Sequence, residues 1–194
     1  MRLATVLTPL SDHNLRLARQ AAVTDITVRY PGPDWESLLE TKRRIESFGL
    51  RWSVIEGYLP IENIKLGNER RDAEIAEIQQ LLRNMSQAGI PLLCYNFMAG
   101  TDWVRTAVDR PDRGGALVTA FDAAQAREAV SLEGPDRRLE VQPISADQLW
   151  AHLEYFLQRV VPVAEQCGVT LAMHPDDPPL DEFLGRSRIM NSVE

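Results

Sequence analysis

Apolar residues recur along this chain in two rhythms. Short, partly β-branched runs read as strands, and longer stretches in which apolar side chains return every three or four positions read as helices. LATVL (3–7), DITVRY (25–30), LRWSVIEGY (50–58), PLLCYNF (91–97) and VTLAMHP (169–175) are the strand runs. Between them, DHNLRLARQAA (12–22) repeats Leu15, Ala18 and Ala22, and WESLLETKRRIESF (35–48) places Leu38, Ile45 and Phe48 on one face. ERRDAEIAEIQQLLRNMSQAG (69–89) does the same with Ile75, Ile78, Leu82 and Met85. Punctuation agrees. Asp34 can cap the second helix, Gly49 and Gly89 follow helix ends, and PGP breaks the chain after Tyr30. IENIKLGN reads as a polar connection, and residues 98–143 as a weak, polar excursion with the solvated turn DRPDRGG inside it. Beyond it Ser145 and Gln148 make a capping box, and Leu149, Leu153, Leu157 and Val160/Val161 line a long helix that Pro162 should kink or divide.

Strict alternation of strand and helix predicts an α/β fold with a parallel sheet covered by helices. Two closures satisfy the pattern: an open doubly wound sheet, or a (β/α) barrel of the TIM type with about five of its eight units present. A complete barrel takes about 250 residues, with a lower range near 200, and this chain has 194. With 44% hydrophobic and 25% charged residues, it can build one core, so residues 1–194 are expected to form a single partial barrel with a loop excursion at about 98–146.

The net charge of −7 argues against nucleic acid and against an anionic membrane surface as partners. No apolar run reaches the roughly 20 residues a membrane-crossing helix needs, and the N-terminus lacks a convincing signal sequence. Cys94 and Cys167 are far apart and outside any CxxC pattern, which points to a reducing cytoplasmic setting. GxGxxG, P-loop and GxSxG motifs are absent from the sequence.

Candidate chemistry gathers at the C-terminal ends of strands, where both closures put their ligand face. These ends carry Arg29-Tyr30, Glu56-Gly57-Tyr58, Tyr95-Asn96-Phe97 and His174-Pro175-Asp176-Asp177. His174 either caps the strand end or ligates a metal. A neutral imidazole beside carboxylates favours the ligand reading. Pro175, Pro178 and Pro179 restrict the backbone around Asp176 and Asp177, which serve as turn residues or as chemistry. Glu56 is either a loop carboxylate or a proton-transfer group. Cys94 reads as a small buried hydrophobe. In the following loop, Trp103 anchors the segment or lines a site, and Arg105 can grip a carboxylate with two parallel hydrogen bonds.

The strings LCYNFM, DWVRT, VIEGYLPIENIKLG, FLGRSRI and ISADQLWAHLEYFLQRVVPVAEQCGVTLAMHPDDPP resemble the mannonate dehydratase family. The resemblance implies a xylose-isomerase-like TIM barrel and dehydration of D-mannonate to 2-keto-3-deoxy-D-gluconate. It also implies a divalent metal, usually Mn2+, with Fe2+ or Co2+ as alternatives. His174 matches the family's first metal-ligand histidine. Asp176 and Glu56 become the catalytic candidates, and Asn96, Arg105, Trp103 and Arg29 the substrate-binding ones. The partner is a sugar-acid small molecule, and a homo-oligomer is expected. The family's further metal ligands lie on later strands, beyond the point where this sequence ends. Since a catalytic metal needs about three protein ligands, the 194 residues alone are expected to be inactive. Two other readings stand beside this one. One is a sugar isomerase or epimerase on the same barrel type. The other is a non-catalytic truncated product that pairs its open sheet with another chain.

Overall fold

The structure is a computed structural model and describes residues 2–101, 103–132 and 142–193. In chain order the elements are β1 (Ala4–Val6), α1 (Asp12–Gln20), β2 (Asp25–Val28), α2 (Trp35–Ser47), β3 (Arg51–Glu56), α3 (Glu62–Leu66), α4 (Arg71–Ala88) and β4 (Leu92–Tyr95). They continue with β5 (Val104–Arg105), β6 (Ala107–Pro111), β7 (Leu117–Ala120), β8 (Val130–Ser131), α5 (Ala146–Cys167), β9 (Thr170–Met173), β10 (Glu182–Phe183) and β11 (Arg186–Ser187). The described residues group into two compact units. One takes the chain up to Ile61 together with Arg70–Tyr95 and Phe156–Met173. The other takes Glu62–Glu69, the described part of Asn96–Tyr155, and the residues from His174 onward.

The first unit is a five-stranded parallel sheet in the order β1-β2-β3-β4-β9. The order follows the chain without reversal. A doubly wound sheet reverses at a switch point, so this is the barrel-type succession, with five β/α strands. Ile26, Ile55 and Leu93 are fully buried in the sheet. Leu38 and Ile45 of α2, and Ile75, Ile78, Leu82 and Met85 of α4, form buried stripes, as their spacing predicts. Each such side chain contributes roughly 1.5–3 kcal/mol through removal from water. Asp34 caps α2 by accepting from the Ser37 N–H at 2.8 Å, and Gly89 closes α4 at φ +69°.

Three expectations are revised. IENIKLGN contains α3, because Ile61 and Ile64 are buried and draw the segment inward. The buried face of α5 runs through Leu149, Leu153, Phe156, Val160 and Ala164, whereas Leu157 is half-buried and Val161 is 36% exposed. The aromatic ring of Phe156 takes the core position and packs edge-on to Tyr95 with centroids 5.4 Å apart. Pro162 does not end α5; it lies on the exposed side, where water can replace the hydrogen bond its ring removes.

The second unit contains short antiparallel pairs, β5 with β8, β6 with β7, and β10 with β11. The excursion therefore carries hairpin structure. DRGG is its solvated turn between β6 and β7, with Gly114 and Gly115 at φ +66° and +77°. Among the described residues no helix is long and apolar enough to cross a membrane.

The first residue of β2, Asp25, is 2% exposed and ties three strands together. It accepts from Arg51 at 2.8 and 3.1 Å, from Arg2 at 3.1 Å, from Thr24 at 2.6 Å and from Ser53. The Arg51 guanidinium, with help from Ser53, Thr24 and Arg2 and against burial, holds this carboxyl well below the usual carboxylate range. Its stabilising contribution is complete above the unfolded-state value of about 4 and is lost as the pH falls towards the lowered folded value. Asp25→Asn should lower unfolding free energy at neutral pH by about 2–4 kcal/mol. It should also flatten the acid limb of stability, both measurable by urea titration from pH 7 downward.

Candidate active site

In the sheet unit, parallel pairing aligns strand ends. Val28 pairs with Ile55, and Glu56 pairs with Cys94, which brings Arg29, Glu56 and Cys94 side by side. The Nη1 of Arg29 donates to Glu56 Oε2 at 3.3 Å, and the Cys94 thiol lies 3.9 Å from Glu56 Oε1. The Arg29 guanidinium also sits over the Tyr58 ring at 5.2 Å. Gly57, at φ +75°, lets the chain turn immediately after Glu56, and its N–H is held by the Cys94 carbonyl at 3.4 Å.

Cys94 is half-buried beside a carboxylate, which revises its reading as a buried hydrophobe. Leu93 and Tyr95 take the buried face of β4, and alternation sends Cys94 to the other side. Burial first, and Glu56 second, push its thiol up to about 11. Tyr30, also a strand-end residue, donates instead to Glu77 of α4; burial and then Glu77 push its hydroxyl upward.

The second unit holds the other candidates. Asn96 is 4% exposed, and its Oδ1 accepts from Lys65 Nζ at 2.9 Å and from the Met98 N–H at 3.1 Å. Lys65, buried on α3, also donates to the Met98 carbonyl at 3.3 Å, and its own carbonyl accepts from His152 Nδ1 at 2.8 Å. Sequence reading missed Lys65 because it lay in the segment taken for a polar connection.

His174 directly follows β9. Its Nδ1 lies 2.6 Å from the Pro175 carbonyl oxygen, which can only accept, so the hydrogen sits on Nδ1 and the Nε2 lone pair is left to act as a base or ligand. Trp103 packs on it with ring centroids 5.0 Å apart. Trp103 adopts φ +56°, a strained conformation for a bulky residue.

The two aspartates of the turn separate. Asp176 is 4% exposed; its Oδ2 accepts from the Met190 N–H at 2.7 Å and its Oδ1 is 3.9 Å from buried Arg188. Its own N–H returns to the Met190 carbonyl at 3.0 Å. Asp177 instead accepts from Arg105 Nη2 at 2.7 Å. The remaining nitrogens of Arg105 donate to the Val104 carbonyl (2.7 Å) and the Thr119 hydroxyl (3.1 Å).

Whether these residues could hold the implied metal depends on donors. His174 offers one prepared imidazole nitrogen. Among the described residues no group of three or more His, Cys, Asp or Glu could hold a metal ion. The described residues do not form a complete metal site.

The model of the D-mannonate dehydratase (UxuA) family matches residues 13–194. Mannonate dehydratase 1 of Bacillus licheniformis is 35% identical over 189 residues, covering 84% of this chain and 52% of the relative. Mannonate dehydratase of Streptococcus suis is 37% identical, covering 89% of this chain and 51% of the relative. The crystal structure of mannonate dehydratase from Streptococcus suis serotype 2 superposes with a TM-score of 0.83 at 33% identity, over 98% of this chain and 58% of that one. A 3-keto-D-glucoside 4-epimerase from E. coli gives 0.57 at 15% identity, over 90% of this chain and 56% of that one, a likeness of fold alone. The chain spans about half the length of the curated relatives it matches.

The geometry around Cys94 is directly testable. In a Cys167→Ser background, Cys94 should react with iodoacetamide at pH 8 far more slowly than a free thiol, since little of it is thiolate. Glu56→Gln removes one of the charges that raise its pKa and should accelerate alkylation about two- to tenfold, as followed by mass spectrometry.

Proposed function

This chain belongs to the D-mannonate dehydratase family, and from that premise we propose that it serves a sugar-acid hydro-lyase that converts D-mannonate to 2-keto-3-deoxy-D-gluconate. The observation that carries this reading is the family match over residues 13–194, with 33% identity and a TM-score of 0.83 to a solved mannonate dehydratase. The chemistry removes the proton on C2, beside the carboxylate, and expels the C3 hydroxyl as water. The resulting enol becomes the 2-keto product. One base and one acid are required.

We assign proton transfer to Glu56, whose orientation is fixed by Arg29 at 3.3 Å. Arg29 is then a positioning residue with a share in binding. Arg105 suits the substrate carboxylate, because its planar fork matches that group. Asn96, locked by Lys65 and Met98, suits a substrate oxygen, and Trp103 shields His174. Asp176, paired with Arg188 and Met190, supports the turn that carries His174, so its part in catalysis is to position.

A divalent metal, manganese foremost with iron or cobalt as alternatives, belongs to this reading as the group that stabilises enediolate charge. This chain supplies His174 towards it, and no step is assigned to the metal. The setting we propose is a cytoplasmic homo-oligomer, consistent with two free cysteines.

The natural protein, at its native length and with Mn2+, should release 2-keto-3-deoxy-D-gluconate from D-mannonate in a periodate–thiobarbiturate assay. EDTA and His174→Ala should each abolish release. Arg105→Ala should raise KM about tenfold or more, the scale of a lost charge-assisted hydrogen bond. Turnover of a neutral ketose that is indifferent to Arg105→Ala would instead support the epimerase reading.

A further inference from the structure

Arg105 is the residue best suited to an anionic ligand, yet a carboxylate of the protein already lies against it. Asp177 Oδ2 accepts from Nη2 at 2.7 Å. The pair is not sealed: the Arg105 side chain is 16% exposed and that of Asp177 is 30% exposed. Nη1 is turned to the Val104 carbonyl and Nε to the Thr119 hydroxyl, both neutral partners, so Asp177 on Nη2 supplies the one charged contact that an incoming anion would replace. The backbone at Asp177 is anchored separately, with its N–H 3.0 Å from the sulfur of buried Met98. The carboxylate can therefore swing aside while the turn stays in place.

We infer that Asp177 is an internal stand-in for the ligand's carboxylate and a specificity-determining residue: it occupies Arg105 until an anionic ligand displaces it. This rests on the reading of Arg105 as the carboxylate-binding group. A partly exposed ion pair is weak enough to exchange, whereas a buried one is not. The exchange also selects. A neutral polyol cannot replace the lost charge, but a sugar acid replaces one carboxylate with another and adds its own hydroxyl contacts. Asp176, the neighbouring residue, cannot play this part, because it is buried against Arg188 and Met190.

The test is calorimetric titration of the natural full-length protein, loaded with Mn2+ and carrying Glu56→Gln so that turnover does not interfere, with D-mannonate and, separately, with D-mannitol. Asp177→Asn keeps the shape and removes the charge; Asp177→Ser removes the carboxylate and decides the matter if the first variant does not fold. Both should bind D-mannonate about two- to fivefold more tightly than the protein that keeps Asp177, with no tightening for D-mannitol. Unchanged or weaker D-mannonate binding in the folded variants overturns the inference, and means that Asp177 orients Arg105 rather than competing for it. If D-mannonate binds neither the protein that keeps Asp177 nor the variants, the proposed substrate falls and takes the inference with it.

Discussion

Parallel strands cannot be joined by tight turns; each must be returned by a crossover, here a helix or a longer excursion. That constraint organises the sheet unit. It forces every strand to start along one edge and finish along the other, and the unreversed order β1-β2-β3-β4-β9 makes sequence neighbours into spatial ones. Cα pairing of Glu56 with Cys94 is a consequence of this register, and so is the nearness of Arg29 to Glu56. A one-residue slip would turn Glu56 to the other face of the sheet and place a hydrophobe beside Cys94.

The two edges differ in how each surrounds a carboxylate. At the starting edge, Asp25 is surrounded by Arg51, Arg2, Thr24 and Ser53. Its acceptor sites are filled and its proton affinity is low, which suits a permanent staple. At the finishing edge, Glu56 meets one arginine and a weakly donating thiol, and its side chain stays 18% exposed. In barrel-type folds generally, stability resides where strands begin and the ligand face lies where they end, and the contrast between Asp25 and Glu56 runs in the same direction.

Features with a local cause were legible in the sequence. The Asp34 cap, the glycine at the end of α4 and the Ser145–Gln148 box at the start of α5 each depend on residues within a turn of one another. Strand-end polarity was legible for the same reason. What escaped depended on partners distant in sequence. α3 is a helix because Ile61 and Ile64 find a core, and Lys65 is buried because Asn96 and the Met98 carbonyl receive it. The face of α5 was misjudged where Phe156 outcompetes Leu157, a choice of shape that apolar spacing alone does not encode. Arg105 could be nominated as a carboxylate binder from its chemistry, but not the fact that Asp177, 72 positions away, already holds it.

The His-Pro-Asp-Asp-Pro-Pro turn shows how rigidity and reactivity are divided between adjacent residues. Proline on both sides limits the conformations of the segment, so consecutive side chains are directed to different surroundings. Asp176 goes inward, where the Met190 amide donates to Oδ2 and the charge of Arg188, 3.9 Å from Oδ1, offsets part of the cost of burying it. Asp177 goes to the half-exposed side and takes Arg105. His174 gives its Nδ1 hydrogen to the Pro175 carbonyl, so the same rigid backbone that splits the aspartates also sets the imidazole tautomer. The strained Trp103 backbone fits this scheme, because its ring packs against the one imidazole whose lone pair the turn has prepared. A looser turn would leave that tautomer to solvent, and a ligand or base at this position depends on its being fixed in advance.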